Sequence, residues 1–98
     1  MSKWMIIYKN MRWEEIDFNR DQNNISIKLL KKDEIIEGKV LKENDFTKVI
    51  RVSLNDGREV DLADFAEIDN FFEKNTIIFK NRTGLHNEIR RYIDFSLS

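Results

Sequence analysis

Ninety-eight residues, 41% hydrophobic and 36% charged, are expected to form one globular domain spanning 1–98, with room for a single core. The absence of cysteine excludes disulfide staples and thiolate metal sites and suits a reducing, cytoplasmic setting; no apolar run approaches a signal peptide or a membrane span. The net charge of −1 argues against a uniformly basic surface, but it hides blocks: residues 1–13 carry +3, residues 56–73 carry −6 and residues 74–98 carry +3.

In chain order, Lys3–Lys9 reads as a strand, with Trp4, Ile6 and Tyr8 on one face and Met5 and Ile7 on the other. Both faces are apolar, so this strand is central or offers one face to a partner protein. Residues 10–24 read as a polar connection anchored by Trp13, Ile16 and Phe18, with room for one helical turn before a loop at "NRDQNN". Ile25, Ile27 and Leu29 alternate as a half-buried strand, and "IIEGKVL" is the next, with a bulge expected at Gly38. "TKVIRVSL" and "REVDL" are joined through Asn55-Asp56-Gly57, the strongest hairpin signal in the chain.

From Leu62 the period changes. Leu62, Phe65, Ile68 and Phe72 form the stripe of an amphipathic helix, capped by Asp61 or Asp64 and ending near Asn75. "TIIFK" reads as one more short strand. Thr83 then caps a second helix with the inward stripe Leu85, Ile89, Tyr92, Ile93 and Leu97. The expected fold class is α+β: a small antiparallel β-sheet of about four to six strands covered by two C-terminal helices.

One histidine and no cysteine leave no transition-metal ligand set, and no metal or other cofactor is expected. No phosphate-cradling Walker sequence and no Gly-x-Ser-x-Gly elbow is present, so neither nucleotide hydrolysis nor a serine nucleophile is expected, and no small-molecule substrate. Glu37-Gly38-Lys39, with Asp17 and Asp21 upstream, echoes the acid and E-x-K pattern of a magnesium nuclease, in a chain where charges alternate along many segments. The C-terminal basic block is better motivated. Lys80 and Arg82 precede the second helix, where backbone N–H groups favour an anion; His86 and Arg90 lie four apart on one flank, with Arg91 beside them. Nearby aromatic rings offer stacking for unpaired bases. Trp4, Ile6 and Tyr8 are the expected partner-binding residues.

The stretch "LNDGREVDLADFAEIDNFFEKNTIIFKNRTGLHNEIRRYIDFSL" sets a hairpin and an acidic helix before an I-I-F segment and a final Tyr-Ile helix. It resembles the small middle proteins encoded beside the A-family-like polymerase of staphylococcal cassette chromosomes. It is also similar to the region preceding the ATPase of the self-loading helicases of such mobile elements. The resemblance implies a non-enzymatic DNA-replication accessory protein of a mobile genetic element, a heterodimer with the element-encoded DNA polymerase and a binder of single-stranded DNA. It assigns no residue a role. The alternative is a protein-interaction module of inhibitor or antitoxin type, with no DNA contact, whose acidic residues 56–73 meet a basic partner.

Overall fold

The computed structural model describes residues 3–74 and 85–98, without the side chains of residues 74 and 85–87. Six strands follow one another: β1 (Trp4–Ile7), β2 (Trp13–Asp21), β3 (Asn24–Leu29), β4 (Glu34–Glu43), β5 (Ile50–Leu54) and β6 (Glu59–Asp64). Helices α1 (Phe65–Lys74) and α2 (Leu85–Leu97) come last. Each strand pairs antiparallel with its sequence neighbour, and β1 returns to pair with β6, so the sheet closes into a barrel. This corrects the expected fold class. The sheet is not an open layer covered by helices; it is a closed barrel with helices on part of its outside. Closure satisfies the edge hydrogen bonds that an open sheet would leave bare.

The barrel interior is filled by alternate residues of every strand. Ile6, Ile16, Ile27, Val52, Val60 and Leu62 are all at most 2% exposed. The opposite face of β1 is apolar for a separate reason. Met5 and Ile7 point outward and pack with Val49, Ala63, Ile68, Tyr92 and Ile93 beneath the helices. The two-faced strand is therefore central in the sense that its second face meets this chain's own helices.

Two further expectations change. Residues 13–21 form a nine-residue strand, where a polar connection was expected. Ile16 and Phe18 face inward while Trp13, Glu15 and Asp17 face out, and the turn is confined to Gln22 and Asn23, with Gln22 at φ 55°. Leu62 belongs to β6, fully buried in the barrel, so the helix begins three residues later. Asp64 caps it by accepting the Ala66 backbone N–H at 2.9 Å; Asp61 does not cap. The expected strand at "TIIFK", the Asn75 terminus and the Thr83 cap lie outside the described residues.

Gly38 marks a close approach, and the register shift in β4 falls further on, between Val40 and Lys42. A Cβ at Gly38 would collide with the Ser53 carbonyl and come within 2.8 Å of Val52 Cγ1. Here β4 lies tightly between β3 and β5, Gly38 pairing with Ile25 on one side and Leu54 on the other. The Asn-Asp-Gly hairpin forms as expected, with Gly57 at φ 96°.

Candidate nucleic-acid interface at the barrel mouth

Three turns meet at one end of the barrel. The β1–β2 turn is tightened by Tyr8 N donating to Arg12 O at 2.8 Å and Arg12 N to Asn10 Oδ1 at 3.0 Å. With the turns before β4 and before β6 it borders an open groove of about 680 Å³. Lys9 and Arg12 come from the first turn, Lys32 from the second and Arg58 from the third. Two rings lie among these cations. Tyr8 ends the inward face of β1, and Trp13 begins β2, 49% exposed and set edge-on against Phe65 at 5.1 Å between centroids.

The groove also holds carboxylates. Glu14 accepts the Tyr8 hydroxyl hydrogen at 2.8 Å and lies 3.5 Å from the Lys32 ammonium. Glu59 lines the rim, and Glu34 is close enough to act on Tyr8 electrostatically. Burial, then the Glu14 hydrogen bond, pushes the Tyr8 phenol up to about 12, so it remains a neutral donor at physiological pH. The Arg58 guanidinium sits 5.7 Å from the centre of the Tyr8 ring. Its Nε bonds Asp56 Oδ2 at 2.8 Å; the Arg58 backbone N–H and this guanidinium together hold the Asp56 carboxyl below its ordinary range. Arg58 is thus pre-positioned at the rim without being buried.

At the other end of β2 the chemistry differs. Arg20 gives two hydrogen bonds to Glu43, at 2.6 and 2.8 Å, and is spent on tying β2 to β4.

The residues expected to carry the function are scattered. Arg90 faces the barrel. Its guanidinium lies 3.6 Å from the buried Asp61 carboxylate, which also accepts Arg51 Nε at 2.9 Å, and it bonds Met11 Sδ at 3.1 Å. Arg91, one position on, points out, 69% exposed, with Glu88 at 4.0 Å. Lys80, Arg82 and the His86 side chain lie outside the described residues. Ile6 is fully buried inside the barrel; Trp4 packs edge-on to Phe18 at 4.8 Å, half-buried, and Tyr8 belongs to the mouth.

The acidic block is also partly consumed. Asp61 and Asp64 are buried in structural bonds, and Asp56 holds Arg58. Glu37 on β4 is separated from β2 by β3 and lies level with Asn19, two residues along from both Asp17 and Asp21. That puts it roughly 12 Å from either along the backbone, so they do not converge on one ion. Among the described residues no three potential ligands cluster, and no helix is long and apolar enough to cross a membrane.

The mouth was missed because its cations come from three separate turns. The available signal was the +3 charge of residues 1–13, interleaved with Tyr8 and Trp13. Compared with protein-family models, curated proteins and solved structures, the chain matches none of them.

Proposed function

We propose that the protein is a non-enzymatic replication accessory module that holds single-stranded DNA across the barrel mouth. The observation that carries this reading is the grouping of Tyr8 and a half-exposed Trp13 among Lys9, Arg12, Lys32 and Arg58 in one concavity. A single strand is held without sequence readout by this combination: rings stack on unpaired bases while cations neutralise phosphates.

Titration of a labelled oligonucleotide against salt tests the reading. With up to four phosphates neutralised, log K should fall against log salt with a slope of about −3. Trp13→Ala should weaken binding by about 1–3 kcal/mol, the worth of one stacked base. Arg12→Ala should weaken it and flatten the slope by about 0.7. Trp4, half-buried against Phe18 and away from the mouth, is the internal control for fluorescence quenching. Salt-insensitive binding, or binding that is lost with Arg91→Ala but indifferent to Trp13 and Arg12, overturns the assignment to the mouth.

A specific observation favours a protein partner as a second reading, and the replicative polymerase is the partner proposed. Phe46, in the β4–β5 turn, is 91% exposed, and Phe95 near the end of α2 is 64% exposed. That turn is bonded to α2 through Asn44 Nδ2 to Ser96 O at 2.9 Å and Tyr92 OH to Thr47 O at 2.9 Å. Replacing Phe46 and Phe95 by serine should abolish polymerase association and leave oligonucleotide binding intact.

A further inference from the structure

We infer that Glu14 makes the mouth selective among bases, favouring those with an amino group over thymine. This deepens the reading above and rests on the mouth being where the strand binds.

Glu14 sits opposite Ile6 in the β1–β2 register, so its side chain turns to the inside of the barrel at its open end. The side chain is 19% exposed. One oxygen, Oε2, takes both the Tyr8 hydroxyl and the Lys32 ammonium. Among the described residues Oε1 accepts no hydrogen bond. A carboxylate with a free oxygen therefore lies beside the ring on which a base would stack.

The Tyr8 hydroxyl is committed as a donor to Glu14, and a carboxylate that takes a hydroxyl hydrogen and lies beside an ammonium acts as an acceptor only. A base seated against Tyr8 with its Watson–Crick edge toward Glu14 must offer donors. Guanine presents N1–H and N2–H side by side, and cytosine and adenine present an exocyclic amine. Thymine presents a single N3–H between two carbonyl oxygens, which a carboxylate repels. In a duplex these edges are already paired, so the same contact selects unpaired strands. The discrimination from one good pair of this kind is roughly 5- to 150-fold.

The test compares short oligonucleotides of dC, dA and dT, and a dT strand carrying one guanine, by quenching of Trp13 fluorescence. The expected result is that the three amino-bearing strands bind several-fold tighter than dT. Glu14→Gln should raise affinity for all strands, because a negative charge is lost, and bring their ratio close to one. Dimethylating cytosine N4 should lower dC to the level of dT with the wild-type protein, a check that does not depend on any variant folding. Equal, salt-sensitive binding of all strands overturns the role of Glu14 and leaves the mouth as a strand-binding site. An unchanged ratio in Glu14→Gln does the same. No retention of any strand at low salt overturns both.

Discussion

The outside of the barrel has two halves that differ in what covers them. Across β1, β5 and β6 the outward positions include Met5, Ile7 and Ala63, with the Arg51–Asp61 pair among them and Ser53 and Glu59 toward the mouth, and α1 and α2 lie over this side. Across β2, β3 and β4 most outward positions are polar, among them Glu15, Asp17, Asn19, Asn24, Ser26, Lys28, Glu37 and Lys39. Ile35 stands exposed among them, and the helices touch this side at Trp13, set against Phe65 of α1, and at β4, which α2 contacts. The interior residues of the two halves are alike, so the interior does not decide where the helices go. The outward residues decide it, because apolar surface on a strand must be covered and polar surface need not be.

The covered half contains a buried charged junction, and there the largest effect is expected. Asp61 has a 2%-exposed side chain that receives Arg51 and faces Arg90, joining β5, β6 and α2. Asp61→Ala strands two guanidiniums in a mostly buried setting. It should lower unfolding stability by about 3–5 kcal/mol, read as a shift of the denaturant midpoint. A loss under about 1 kcal/mol would mean that the helices do not depend on this junction for their placement.

An intermediate effect is expected from alkali. Burial, then the Glu67 charge, pushes the Tyr92 phenol up to about 12, against an ordinary value of 10 in the unfolded chain. Because the folded form holds its proton longer, its contribution is complete below pH 10 and is lost as pH rises from 10 to 12. The slope should be about 1.4 kcal/mol per pH unit in that window, with Tyr8 adding in the same direction. Denaturant unfolding followed across the window, alongside tyrosinate absorbance, checks it. Stability that is flat to pH 12 would contradict the burial of this ring.

The smallest effect belongs to the open half. Lys28 lies 3.3 Å from Asp33, but the two side chains are 49% and 84% exposed. Lys28→Ala should change stability by no more than about 0.5 kcal/mol, since solvent and salt screen such a pair. A cost of several kcal/mol would reveal that this side is covered after all.

Much of the strand order could be read directly. Ile25, Ile27 and Leu29 alternate cleanly because one face of β3 is buried and the other is wet, and the Asn-Asp-Gly turn specifies its own hairpin. β2 was obscured because its inward positions run Glu14, Ile16, Phe18 and Arg20, with charged residues at both barrel ends and Trp13 facing out. Its alternation is therefore polar at the termini. Leu62 suited a helical stripe as well as a strand, since a residue at a junction fits either period.

Within the C-terminal basic block, adjacent arginines separated by about 100° of helix were read as one patch. The structure turns Arg90 inward to Asp61 and leaves Arg91 outside. The mouth lay further from view, because charge proximity there depends on which turns share a barrel end.

By itself the sequence determined the local elements: five of the six strands, the tight hairpin and two amphipathic helices, all written in periods of two or of 3.6 residues. Only the tertiary structure decided that β1 meets β6. The pairing of Trp4 with Asp64 spans most of the chain, and backbone hydrogen bonds carry no residue code. That closure created the mouth, joined the four cations to two rings, and consumed Asp61 and Arg90 in holding α2 to the wall.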